Sequence, residues 1–454
     1  MQETLERVLA LSRADECIAV GWESSTANVR WANNTSTTNG VAQTAELFII
    51  SVIDRRVGTV GVSYFPDDGL EALVRRSEAA CEDKPEAEDH MPLLGGDGPP
   101  PDWDAPVQHP GIEVFAGFAP ALAQSFQRAE ADGVRLFGYA EHTSSTRYLA
   151  LSTGLRRSHT QLEGRVELNA KTPDFAHSAW VGQATATFTD VDVSALYDRV
   201  GQRLRWSQTA LELPPGHYQV LLEPSAVADM LVYAYWSSTA READEGRTVF
   251  SKPGGGNRIG ERLYPEAVQV YSDPSEPGLE VAPFTLTTAS SSHASLFDNG
   301  QETARTDWVD GGVLRALITT RHWAARSGVD RVTPYIDNLV FPCEGGPSLE
   351  DMIASSERAL LVTCFWYIRE VDPQTLLLTG LTRDGVFLVE GGEVKGAVNN
   401  FRFNMSPVDM LAQTAEIGRS GPTLPREFGD YFAFVKTPPL RVDGFNMSSV
   451  SRAT

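Results

Sequence analysis

Residues 17–64 read CIAVGWESSTANVRWANNTSTTNGVAQTAELFIISVIDRRVGTVGVSY, and this stretch decides the fold. Cys17–Trp22, Ala27–Ala32, Ala45–Ile53 and Val57–Tyr64 are rich in β-branched and aromatic side chains, while the segments between them carry the Asn, Asp, Arg and Gly of turns. Four strands in succession, with no helix between them, predict antiparallel pairing, because parallel neighbours need a crossover of a dozen or more residues. Outward from this block, residues 2–13 set Leu5, Val8, Leu9 and Leu11 along one side of a helix, and Asp67–Ala80 does the same with Leu70, Leu73 and Val74. Helices are also expected at Ala119–Ala131 and Ser194–Gln208, with strands at Val134–Tyr139, Arg147–Ser152 and Ala184–Phe188.

Between them, Glu82–Asp104 (EDKPEAEDHMPLLGGDGPPPDWD) opens an acidic, Pro/Gly-rich loop over 82–112 that offers too little apolar surface to offset its ordering entropy. Residues 1–210 therefore read as an α+β domain of helices on a largely antiparallel sheet. Residues 211–454 read as a mainly β domain, sandwich or barrel-like, with helices at Ser225–Arg241 and Ser348–Arg358. No period repeats along the chain, which argues against a solenoid.

The 454 residues hold 60 Asp and Glu against 38 Lys and Arg, a net charge of −22. A surface this negative repels phosphate backbones and anionic headgroups, so neither nucleic acid nor membrane is an expected partner. The longest apolar stretch tested, Ala359–Ile368, is half of what a spanning helix needs, and the N-terminus lacks an uninterrupted apolar core for a secretory signal. A cytoplasmic location is the expectation. Cys17, Cys81, Cys343 and Cys364 form no CxxC pair and read as ordinary reduced residues.

Direct signs of chemistry are sparse. The eight histidines include no HExxH or HxH pair, and there is no GxSxG elbow; Ser291–Ser292–His293 reads as a polar turn. Gly254–Gly256, between Lys252 and Arg258, fits neither a phosphate loop nor a dinucleotide loop and reads as a flexible turn. Two carboxylate groups, Glu242/Asp244/Glu245 and Asp298/Glu302/Asp307/Asp310, read as solvated turn residues, since acid–base work requires a buried member. The densest run of unusual side chains is Cys364–Arg369. As a regular strand it would put Trp366 and Ile368 on one face and Phe365, Tyr367 and Arg369 on the other, one face core and one the wall of a groove. Arg369, Arg383 and Arg402 are suited either to a substrate carboxylate or to structural ion pairs.

The order of several segments resembles the TldD/PmbA (TldD/TldE) metallopeptidase family over nearly the whole chain, and within it the TldE (PmbA) side. They are RWANNTSTTNGV, LALSTGLRRSHT, PPGHYQVLLEPSAVADML, EGRTVFSKPGGGNRIGERL, SLFDNGQETARTDWVDGGVLRALITTRHWAARSG and LTGLTRDGVFLVEGGEVKGAV. The resemblance implies that a TldD-type chain is the catalytic half of a heterodimer, its HExxxH helix and a late cysteine binding a zinc-type metal. Anchored on Gly246, the corresponding positions here are Leu231, Val232 and Trp236, and no cysteine follows Cys364. It therefore implies a subunit with no metal or other cofactor of its own, partnered by a TldD-like chain and helping to enclose unfolded peptides. Trp366, Tyr367, Arg369 and Arg383 are the candidate substrate-facing wall. Two alternatives stand beside it: an independent, metal-independent enzyme using His293, Asp298 or Glu302, and a homodimeric peptide-binding protein.

Overall fold

The computed structural model describes residues 1–100, 103–105, 107 and 109–451. Helix α1 (Gln2–Leu11) leads into β1 (Glu16–Ala32), β2 (Thr35–Ile53), β3 (Arg56–Val62), α2 (Leu70–Ala79) and α3 (Phe118–Ala131). After them come β4 (Arg135–Leu151), β5 (Arg156–Lys171), β6 (Ser178–Ala184) and α4 (Val193–Ser207). The six strands form one antiparallel sheet in the order β3-β2-β1-β4-β5-β6.

Alternation along β1 explains how this sheet is covered on both faces. Cys17, Ala19, Ala27, Val29 and Trp31 point to the helical layer, while Ile18 and Val20 point the opposite way and pack with Ile50, Leu149, Leu296 and Phe297. The breaks expected at 23–26 and 140–146 are absent. Those residues lie inside β1 and β4, where neighbours on both sides supply backbone partners, and their hydroxyls bond across strands: Ser24 to Thr44 at 2.7 Å, Thr26 to Thr143 at 3.0 Å. The strand expected at Ala184–Phe188 is also displaced. Strand β6 ends at Ala184, and Thr185 Oγ1 accepts from the N–H groups of Thr187 and Phe188 in a turn that sends Phe188 against Phe115 and Phe118.

The described residues of 82–111 are irregular, as expected, but they are not simply exposed. Leu93 and Trp103 are buried, Trp103 meets Tyr148 edge-on, and the Leu93 N–H donates to Glu16 at 2.9 Å. These few apolar anchors offset ordering entropy that composition alone leaves uncovered. Positions 101, 102, 106 and 108 of that segment lie outside the described residues.

The C-terminal body begins with β7 (Ala210–Leu211), β8 (Gly216–Leu222), α5 (Pro224–Trp236), α6 (Ala240–Asp244), β9 (Val270–Ser272), β10 (Thr306–Asp310) and β11 (Val313–Leu314). It continues through α7 (Arg321–Ser327), β12 (Asn338–Val340), α8 (Leu349–Ala354), β13 (Arg358–Val362), β14 (Phe365–Asp372), β15 (Leu377–Thr382) and β16 (Val386–Glu390). The last elements are β17 (Glu393–Val398), β18 (Phe401–Met405), α9 (Pro407–Ala412), β19 (Thr414–Ile417), β20 (Gly421–Thr423), β21 (Phe434–Thr437) and β22 (Leu440–Val450). One sheet runs β14-β15-β18-β22-β8-β13-β16-β17-β7 with β19 against β22, and a second runs β11-β10-β9-β12-β21-β20. Pairing is mostly antiparallel, with β8/β13, β12/β21 and β7/β17 parallel. The molecule is α+β with a mainly β C-terminal part.

Helix α5 is apolar nearly all round, as a wholly buried helix must be, and shares one core with side chains of both sheets, among them Val220, Leu360, Phe365, Val270, Leu339 and Val435. It is shorter than the expected Ser225–Arg241. The backbone at 238–240 pairs with Ile318 instead of continuing the helix, so the chain breaks before α6. Helix α8 likewise stops short of Arg358, which opens β13.

Candidate functional site

The three positions singled out on α5 face different surroundings. Leu231 and Val232 are buried in the core. Trp236, at the last turn, is half-buried, and its indole N–H donates to the Tyr335 hydroxyl at 3.2 Å. None of the three presents an atom that binds a metal ion, and among the described residues no three His, Cys, Asp or Glu side chains stand together as a metal site.

The residue on α5 that sequence reading passed over is Asp229. It is fully buried, its Oδ1 accepts from the N–H groups of Glu427 (3.0 Å) and Phe428 (3.2 Å), and its Oδ2 has no partner. Burial pushes its carboxyl well above the usual aspartate range, against the two backbone donors that favour the charged form. A lone acid inside AVADMLVYAYW was the available signal. Asp229 pins residues 427–428 to α5, and Phe428 in turn packs on Tyr233 (5.8 Å between ring centres) and Trp236 (5.1 Å).

The same segment reaches β14, the edge strand of the large sheet. The Arg426 guanidinium lies 3.9 Å over the Trp366 ring and 5.1 Å over Trp180, and Arg383 lies 5.2 Å from Trp366, so two cations stand against the indole. Glu167 anchors this stack from β5, pairing with Arg426 at 3.4 Å and accepting from the Trp180 N–H at 3.0 Å. The Trp366 Nε1 and the Arg426 Nε are buried donors without a hydrogen-bond partner, while the Arg383 Nε lies 3.5 Å from the Asp384 carboxylate. Arg369 pairs with Glu427 at 3.5 Å, and Tyr367 lies beside Trp366 at 6.2 Å.

The expected alternation over Phe365–Arg369 fails at one residue. Tyr367 has φ +54°, and the register jumps from Trp366 opposite Leu381 to Arg369 opposite Thr379. This bulge turns both Phe365 and Ile368 into the core while Tyr367 and Arg369 face outward, so Phe365 does not share their face. Arg402 is set apart, donating to Thr379 Oγ1 at 3.3 Å.

On the other side of α5, the Trp236 carbonyl accepts from His293 Nε2, which leaves Nδ1 to accept from Ser292 Oγ at 3.3 Å. Asp337 and Arg147 join this side to the N-terminal sheet at 3.7 Å. Burial raises the carboxyls of Glu163 and Glu141, and lowers the imidazole of His159. The three residues of the independent-enzyme alternative are engaged separately. His293 serves Trp236, exposed Glu302 pairs with Arg157, and buried Asp298 accepts from the Arg321 N–H, burial raising its carboxyl to about 6. Asp244 accepts from Trp323 and Asn257, and Glu245 pairs with Arg241 and Arg247. A hollow of about 990 Å³ beside α4 is lined by four acids (Asp198, Glu223, Glu350, Glu393) and four arginines (Arg199, Arg203, Arg205, Arg419), so its charge selects neither sign.

The site is thus a wall of stacked indole and guanidinium groups at a sheet edge, tied through Asp229 to a buried apolar helix. It can hold an extended chain and meet a carboxylate or carbonyl oxygen. The sequence model of the PmbA/TldA metallopeptidase C-terminal domain matches residues 215–449. The fold is similar to that of TldE from Thermococcus kodakarensis, at TM-score 0.79 and 16% identity over 98% of this chain and 99% of that one. It is also similar to a candidate modulator of a DNA gyrase from Thermotoga maritima, at TM-score 0.76 and 15% identity over 98% and 99%. A candidate modulator of DNA gyrase from Bacteroides thetaiotaomicron follows at 0.74 and 15% over 99% and 98%. No curated protein matches the chain in sequence.

Proposed function

The chain belongs to the PmbA/TldD metallopeptidase family, and we propose that within it the chain is a TldE-like, non-catalytic subunit that shapes the peptide chamber of a TldD-like partner. Support for this reading comes from α5: the positions that the resemblance sets against HExxxH are Leu231, Val232 and Trp236, two in the core and one bonded to Tyr335. These side chains do not fit a zinc-type ion, so no chemical step passes through a metal in this chain; the metal belongs to the partner.

What the chain contributes is shape and binding. Trp366, Tyr367, Arg369 and Arg383, joined by Arg426, form the substrate-facing wall along β14, where an unfolded peptide gains backbone hydrogen bonds with little sequence preference. The arginines receive its carboxylates. A cytoplasmic setting accompanies this reading, supported by the fact that no described helix is long and apolar enough to cross a membrane.

The test is reconstitution. The chain purified alone should hold no stoichiometric metal and cleave no unfolded peptide, whereas co-expression with an HExxxH-bearing relative should give a complex that cleaves and is silenced by a chelator. Chelator-insensitive proteolysis by the isolated chain would overturn the proposal.

A further inference from the structure

Strand β2 is paired on both sides for only part of its length. Strand β3 covers Leu47–Ile53, ending with Val62 opposite Leu47, while β1 continues to the hairpin turn. From Thr38 to Glu46 the register with β1 is unbroken, and among the described residues no strand lies on the other side. Every second residue of an antiparallel strand turns both N–H and C=O to the same side, so this stretch offers an open ladder.

Five other edge strands of this chain are shorter, covered or less regular than this stretch. Strands β7 and β11 have two residues each, β20 contains Pro422, and β6 is covered by α4 and β20. Strand β14 has two register shifts and carries Arg369 and Glu370. Thr38–Ala45, TNGVAQTA, uses none of these devices: it has no charge and no proline, and it lies in a chain of net charge −22. Val41 in its middle is 45% exposed. Gly40 meets nothing within 4 Å where a Cβ would stand and has no positive φ, so nothing inside the chain requires glycine there.

We infer that this outer part of β2 is an interchain seam, and that its occupant is the same edge of a second copy of this chain. Two-fold antiparallel pairing centred on Val41 sets Val41 against Val41, Gly40 against Ala42, Asn39 against Gln43 and Thr38 against Thr44. Apolar faces apolar, small faces small, amide faces amide and hydroxyl faces hydroxyl, and no like charges meet. Seven residues give roughly 24 Å of seam. The length of the vacant lane agrees. Strand β2 has one extra residue at Thr37 relative to β1, and counting it brings the partner's Thr35 level with Glu46, one residue short of where β3 begins. The absence of charge is what lets two copies this acidic approach at this place, and added salt should help them by screening the rest of the surface.

Sedimentation of the isolated chain up to about 100 µM should show a dimer that tightens between low and high NaCl. Asn39→Lys with Gln43→Lys places lysines opposite one another and should weaken association at least about ten-fold with an unchanged melting temperature. Asn39→Lys with Gln43→Glu opposes unlike charges and should restore it. Val41→Cys should cross-link to its symmetry mate on oxidation, because directly opposite Cα atoms lie within disulfide range, while Thr38→Cys should not. A monomer throughout that range, a dimer indifferent to the lysine pair, or pairing of this edge only with a metal-bearing relative would overturn the inference. None of these readouts depends on peptide cleavage, so they fail or succeed independently of the subunit role.

Discussion

Two buried aspartates show how one residue can govern stability without any catalytic part. Asp229 lends Oδ1 to two backbone N–H groups and leaves Oδ2 bare. Asp229→Ala strands both donors and opens a small void, with an expected loss of about 2–4 kcal/mol in urea melts. Asp229→Asn keeps an acceptor and removes the burial cost of a charge, so it should match or exceed the parent at pH 8. Asp298 supplies the pH test. Its carboxyl is raised from 3.8 to about 6, chiefly by burial, so between these values the folded protein holds a proton that the unfolded chain has released. Stability therefore falls as pH rises through that window, by about 3 kcal/mol in all, and stays lost above it. In Asp298→Asn the stability difference between pH 4 and pH 7 should shrink by about that amount; an unaltered pH profile would show that Asp298 does not titrate there.

Elements were legible in the sequence where local pattern and tertiary role agree. The strands of residues 17–64 and the amphipathic helices at 2–13 and 67–80 follow from side-chain periodicity, which needs no knowledge of neighbours. Their extents did not follow. Glu23–Thr26 looks like a turn and is central strand, because flanking strands on both sides decide its conformation. The β14 bulge at Tyr367 has no periodic signature, and it separates Phe365, which lies in the core, from the face of Tyr367 and Arg369. Close packing between elements is equally hidden. At Gly58 a Cβ would stand 2.0 Å from the Ser77 carbonyl oxygen and 2.8 Å from the Cys81 nitrogen, so β3 approaches α2 only because there is no side chain. Gly58→Ala should force them apart, at a cost of about 1–3 kcal/mol read as a lowered urea midpoint with little change in slope.

At the scale of the molecule, the helical layer of the N-terminal sheet is locked to the C-terminal body by a buried ion pair. Arg203 of α4 meets Glu223, just before α5, at 2.5 Å, and donates to the Trp180 carbonyl at 2.6 Å. Removing one partner leaves an uncompensated buried charge, so Arg203→Met should cost about 3–5 kcal/mol, whereas adding Glu223→Met should recover most of the loss. Equal melting temperatures for the single and double variants would refute that account. The sequence by itself determined the α+β order of elements, the negative exterior and which side chains occupy the α5 positions, since each is written in composition or short-range pattern. Only the tertiary structure decided that Arg426 stacks on Trp366, that Asp229 reaches residues 427–428, and that part of β2 is left without a neighbour. Burial, dielectric and strand pairing are set by chain segments 199 residues apart and more, a separation over which local propensity carries no information.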